Sequence, residues 1–189
     1  MKTFKGSFLI LAFLFYVQST VAQPPIRIIA GKILINDGTL GFIPKKYTAT
    51  MDSLDKILKA HPSDTSTLFY RALLYSLSNN LTARPYQREN GALENLIVGK
   101  NQIEKAISLG MMSIKTRVLR AQLCRDITYR FTGDESWMFN KANILDRKTQ
   151  YNQYKELTNK YYDELSVEDK NNAWNYQKIK VKEDYPIKQ

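Results

Sequence analysis

The chain has 189 residues, with 28 lysines and arginines against 18 aspartates and glutamates, for a formal net charge of +10. That length suits one domain whose core can stand without covalent staples, and the single cysteine, Cys124, excludes an internal disulfide framework. The positive balance favours anionic surroundings, which is a statement about non-specific attraction and not about fold.

Residues 1–22 read as a secretory signal peptide. Lys2 and Lys5 open it, residues 8–17 are almost purely apolar, and small residues at Thr20 and Ala22 prepare a cut before Gln23. The apolar run is short against the roughly 20 residues that a membrane span needs, so an uncleaved anchor fits less well. The ending Val21-Ala22-Gln23 resembles the leaders of Bacteroidota periplasmic proteins. Cleavage takes 22 residues from 189 and leaves 167; the loss of Lys2 and Lys5 lowers the net charge from +10 to +8. The expectation is an exported protein, periplasmic or secreted, with no transmembrane segment after cleavage.

Residues 23–46 read as an extended or irregular lead. Pro24-Pro25 precedes the run Ile26-Arg27-Ile28-Ile29, and Asn36-Asp37-Gly38 offers a tight turn for a small hairpin. From Tyr47 the period becomes helical, and 47–182 reads as a single helical domain. Tyr47, Met51, Leu54 and Leu58 share one face of a first helix, which Pro62 stops. Asp64 is the expected N-cap of a second helix, in which Leu68, Ala72 and Tyr75 share a face. Asn79-Asn80 ends it, and Pro85 prevents continuation. A third helix over 91–109 carries the stripe Ala92, Leu96, Ile103 and Ala106, with Gly110 placed as its left-handed cap.

A fourth helix covers 114–131 and stops at Thr132-Gly133. A long fifth covers 137–165 from Trp137, with Met138, Ala142, Leu145, Tyr154, Leu157, Tyr161 and Leu165 as its apolar positions. Ser166 followed by Asp169 has the spacing of a capping box and is expected to open a last helix carrying Ala173, Trp174 and Val181. Residues 183–189 read as a frayed tail. Short connections make successive helices antiparallel neighbours. The expected fold is therefore all-α: stacked antiparallel helix hairpins or an irregular helical bundle, about six helices after the signal peptide.

Two segments match at a constant shift of 49 residues: Leu54, Ile57, Pro62, Leu68, Ala72 and Tyr75 against Ile103, Ala106, Met111, Arg117, Ala121 and Cys124. The spacing resembles the tetratricopeptide repeat, in which a helix ends in a proline-like stop and the next opens with a bulky, a small and an aromatic residue. The first copy fits through Pro62, Leu68, Ala72 and Tyr75. The second departs from the pattern at Met111, Arg117 and Cys124. The family's period of about 34 residues implies an insertion of roughly 15, placed around 81–91. The resemblance implies a scaffold for a protein or peptide partner, the first helix of each pair lining a concave groove. On the second pair, groove-facing positions would fall at Lys115, Val118, Gln122 and Arg125.

Motifs for chemistry are absent: no nucleophile elbow, no Gly-rich phosphate loop, no His-Glu-x-x-His and no Cys-x-x-Cys. His61 lacks the second His or Cys that a metal site needs, and it suits a helix C-terminus. Cys124 sits at core spacing and reads as an inert buried thiol. Glu164, Glu168 and Asp169, and the pair Glu183-Asp184, are interleaved with lysine and read as solvated faces. Asn80-Leu81-Thr82 is a glycosylation sequon, relevant only to a eukaryotic source.

On the fourth helix Lys115, Arg117, Arg120, Arg125 and Arg130 do not form one stripe, which disfavours specific nucleic-acid binding. Arg117 and Arg120 fall within the apolar arc, so their stems snorkel over neighbouring helices or their heads hold a carboxylate. Tyr154, Tyr161 and Trp174 are expected in the core with an outward polar tip. No enzyme activity, metal or cofactor is expected. The functional expectation is an exported helical-repeat-like adaptor that binds a protein or peptide. The alternatives are a basic module for an anionic polymer or envelope surface, and a helical hydrolase with carboxylates drawn from distant positions.

Overall fold

A computed structural model of the chain describes residues 26–35, 44–81, 91–132 and 139–187. The leader, Asn36-Asp37-Gly38, Pro85, Gly133, Trp137 and Met138 lie outside the described residues. The architecture is all-α with one small hairpin: β1 (Ile26–Ile29), β2 (Lys32–Ile35), α1 (Pro44–Ala60), α2 (Thr65–Leu81), α3 (Ala92–Ser108), α4 (Ile114–Arg130), α5 (Lys141–Glu168) and α6 (Ala173–Lys178). No helix among the described residues is long and apolar enough to cross a membrane.

The hairpin turns earlier than expected. Its two central residues are Ala30 and Gly31, at φ of 50° and 76°, and the strands pair antiparallel with Ile29 opposite Lys32. Two positive φ angles in a two-residue loop match the right-handed twist of the strands. Gly31 is needed twice over. Its backbone is left-handed, and an added Cβ would stand 3.0 Å from Ile179 Cδ1 and 3.2 Å from Tyr176 Cδ1, so the turn sits directly on α6.

The first two helices follow the sequence closely. α1 buries Met51 while Leu54 and Leu58 are half-buried, and it ends before Pro62. Asp64 caps α2, accepting from Thr67 N–H at 2.6 Å, and hydrogen bonds from the Thr67 side chain and backbone hold its carboxyl below the usual range. Leu68, Ala72 and Tyr75 are all buried. Gly110, at φ 96°, closes α3; its N–H donates to Ile107 O at 2.9 Å and Met111 N–H donates to Ala106 O at 3.0 Å. That pair of bonds satisfies two of the carbonyls a helix end leaves open.

α4 is the central element. It packs against α2, α3, α5 and β2, and Val118, Leu119, Leu123 and Ile127 are fully buried. Each such side chain contributes about 1.5–3 kcal/mol relative to exposure. α2, α3 and α4 approach closely at Gly99, where an added Cβ would lie 3.3 Å from both Leu123 Cδ2 and Tyr75 Cβ.

The last third departs from expectation. α5 begins at Lys141 with Asn140 as its N-cap, which accepts from Asn143 N–H at 2.8 Å. Its core residues are Ile144, Tyr151, Tyr162 and Leu165, whereas Leu145 is 56% exposed. Ser166 opens no helix. It lies inside α5, its hydroxyl donating back to Tyr162 O at 2.7 Å, the i−4 bond of a serine within a helix and not the bond of an N-cap. Trp174 is exposed, with Lys178 Nζ 4.8 Å from its ring centroid. Val181 follows α6 and is not part of it. Residues 183–187, expected to fray, are docked, with Tyr185 and Ile187 buried.

Candidate functional site

Two polar systems stand out among the described residues. The first is enclosed. Ile33 N–H on β2 donates to Gln122 Oε1 at 2.9 Å, Gln122 Nε2 donates to Ser76 Oγ at 2.9 Å, and Ser76 Oγ donates to Asp126 Oδ2 at 2.7 Å. The chain of bonds joins the hairpin to α4 and α2. Burial pushes the Asp126 carboxyl up to about 6, against the Ser76 bond and the positive charges of Arg125, Lys32 and Arg130, which draw it down. Ser76 is fully buried and its proton is already given to a carboxylate. This network fastens elements together; a buried polar group without such partners would destabilise the fold by about 1–3 kcal/mol.

The second system is the row of α5 that meets residues 177–184. Tyr151, Lys155, Asn159 and Asp163 recur every four residues and therefore share a face. Tyr151 OH donates to Glu183 O at 2.8 Å. Lys155 Nζ donates to Lys182 O at 3.2 Å and to Glu183 O at 2.7 Å. Asn159 Nδ2 donates to Val181 O, and Val181 N–H donates back to Asn159 Oδ1, both at 2.9 Å. Asp163 accepts from Lys180 Nζ and Gln177 Nε2 at 2.8 Å, and these bonds hold its carboxyl below the usual range. A row of side chains thus takes the main chain of an extended segment, running antiparallel to the helix. Lys155, Asn159 and Asp163 of this row, with Asn152, Glu156, Lys160 and Glu164 next to them, line an open groove of about 650 Å³.

The four expected groove positions lie along one face of a single helix, but they do not form an open surface. They sit on α4, the second helix of its pair and the most enclosed. Lys115 is exposed. Val118 is fully buried and Gln122 is 2% exposed, so neither offers a surface to a partner. Arg125 is half-buried, and its Nε donates to Ile179 O at 3.1 Å. Arg117 and Arg120 resolve toward carboxylates of neighbouring helices. Arg117 bonds Glu168, and Arg120 bonds Glu164 at 3.3 Å while its guanidinium stacks 3.8 Å from the Tyr161 ring centroid.

Cys124 is fully buried, and burial pushes its thiol up to about 12, far from the thiolate a nucleophile needs. His61 is exposed at the end of α1. Among the described residues, no three His, Cys, Asp or Glu side chains gather as a metal cage. The four-residue spacing of Tyr151, Lys155 and Asn159 was visible in the sequence, but nothing there marked 181–187 as what it holds. No family model, curated protein or solved structure matches the chain.

Proposed function

We propose that this protein is exported to the periplasm or beyond the cell and acts there as a non-catalytic helical scaffold that binds a protein through an extended segment. The observation that carries the reading is the α5 row, whose Tyr151, Lys155 and Asn159 address main-chain atoms. Main-chain hydrogen bonds to an extended chain are a recurring mode of peptide recognition. A repeat-like descent is part of the proposal: α1–α2 and α3–α4 form successive units whose equivalent positions Ala72 and Ala121, and Tyr75 and Cys124, are all buried.

The test is capture from an envelope extract on the chain from Gln23 onward, which keeps every described residue, with washes at low and high salt. A protein partner that survives high salt and is lost with Asn159→Leu supports the scaffold. Broad polyanion capture that vanishes in salt points instead to the net charge of +8 that remains from Gln23 onward as the operative feature. The leader is tested by N-terminal sequencing of the exported form, with Gln23 as the expected first residue.

A further inference from the structure

The segment 181–187 lies on α5 as a ligand would lie on a receptor. Five of its hydrogen bonds with Tyr151, Lys155 and Asn159 engage its own main chain, at Val181, Lys182 and Glu183. Only Lys155 to Asp184, at 3.1 Å, reads a side chain. Such a row takes extended backbone of almost any sequence. Selection falls to two buried side chains, Tyr185 and Ile187, while Lys182, Glu183, Asp184 and Pro186 face solvent. The Tyr185 ring packs 5.5 Å from the Tyr151 ring.

The fit is imperfect at one atom. Tyr185 OH is buried and has no hydrogen-bond partner. A hydroxyl stripped of water and given nothing in return weakens the docked state. The seat is thus better matched to an aromatic ring without the hydroxyl than to the ring that occupies it. The attachment combines main-chain bonds, those of Lys155 exposed and those of Tyr151 and Asn159 part-buried, with the two core side chains Tyr185 and Ile187, at the very end of the described chain.

We propose that the face formed by Tyr151, Lys155 and Asn159 is a docking site for an extended peptide in trans, bearing Phe, one free position and then an aliphatic residue, and that the chain's own 181–187 segment occupies it until displaced. This rests on the scaffold reading and specifies its surface and its partner. The occupant already on α5 defines the backbone path, and the orphaned hydroxyl defines how a competitor improves on it.

A fluorescein-labelled peptide copying residues 180–189 and carrying Tyr185→Phe is titrated with the chain from Gln23 onward, read by anisotropy. Saturable binding is expected. It should tighten at least tenfold when the chain's own segment is weakened by Tyr185→Ala with Ile187→Ala. It should weaken at least tenfold with Asn159→Leu. The peptide that keeps Tyr185 should bind roughly tenfold less tightly than the Phe peptide. No saturable binding to either chain, or indifference to Asn159→Leu, overturns the proposal.

Amide exchange on the unsubstituted chain gives a second reading that needs no variant. Val181 N–H should exchange faster than Leu123 N–H on α4. Equal rates would mean that the segment leaves only when the whole fold opens, and the site could not be vacated. Capture of a salt-resistant envelope partner together with absent peptide binding overturns this inference alone and leaves the scaffold reading standing.

Discussion

On its inner side α5 buries Tyr162 and Leu165, with the Tyr162 ring stacked 6.0 Å from Tyr176 of α6. On its outer side the same helix holds 177–184 through Lys155, Asn159 and Asp163, largely by hydrogen bonds. The inner attachment grows with the area removed from water and has no directional demand. The outer one is directional, and each bond contributes a net of about 0.5–1.5 kcal/mol because water competes for the same groups. One helix therefore carries a side sealed by apolar packing and a side held largely by hydrogen bonds, and the difference lies in the chemistry of residues only a few positions apart.

The contrast is broken most severely on the inner side. Tyr162→Ala should lose about 3–5 kcal/mol in urea unfolding, the range for truncating a large buried aromatic. Tyr162→Phe should cost almost nothing, since the hydroxyl has no partner. Equal losses for both would show that the ring's packing is not what seals this face.

Asp126 is the polar weak point of the core, and its effect is read through pH. Its carboxyl titrates near 6 in the fold and near 3.9 in an unfolded chain. Between those values the folded chain holds the extra proton, so stability falls as pH rises from about 4 to about 6 and stays lower above it. Asp126→Asn should remove that slope, leaving the variant more stable at pH 7 by on the order of 2–3 kcal/mol. A slope unchanged in the variant would assign the pH dependence to another group.

On the outer side, Asn159→Leu removes two bonds and should lose about 1–2 kcal/mol. Its signature is local: Val181 amide exchange accelerates about tenfold or more while unfolding stays a single transition. Smallest is Lys180→Ala, which breaks the pair with Asp163 and should change stability by less than about 1 kcal/mol. That loss should shrink further in high salt, unlike the Asn159→Leu effect.

How much of this was legible follows from which helices have one wet face. α1 and α3 are amphipathic, so Met51, Leu96, Ile103 and Ala106 announced their burial, and Asp64 and Gly110 announced the ends. α4 is enclosed on nearly all sides. Its Gln122, Asp126 and Arg130 are buried, so a polar residue there no longer marks the outside, and two of the four groove positions assigned by spacing, Val118 and Gln122, lie in the core. In α5 the obstacle was tyrosine. Tyr151, Tyr154, Tyr161 and Tyr162 all tolerate either environment, and nothing local distinguishes fully buried Tyr162 from half-buried Tyr161. The α5 row failed to stand out because Lys155 and Asn159 are unremarkable on an exposed helix until a distant segment lies against them.

The hairpin turn at Gly31 rests on α6, against Asn175, Tyr176 and Ile179, and Ile33 N–H waits for Gln122, 89 residues later. During synthesis the first strands therefore emerge long before the surfaces that cover them. Contacts of such high sequence separation slow the search for the native state and leave apolar strands bare in the interval. Completion of this fold is timed by its last short helix: until α6 has been made, the hairpin has a seat for Ile33 but none for its turn.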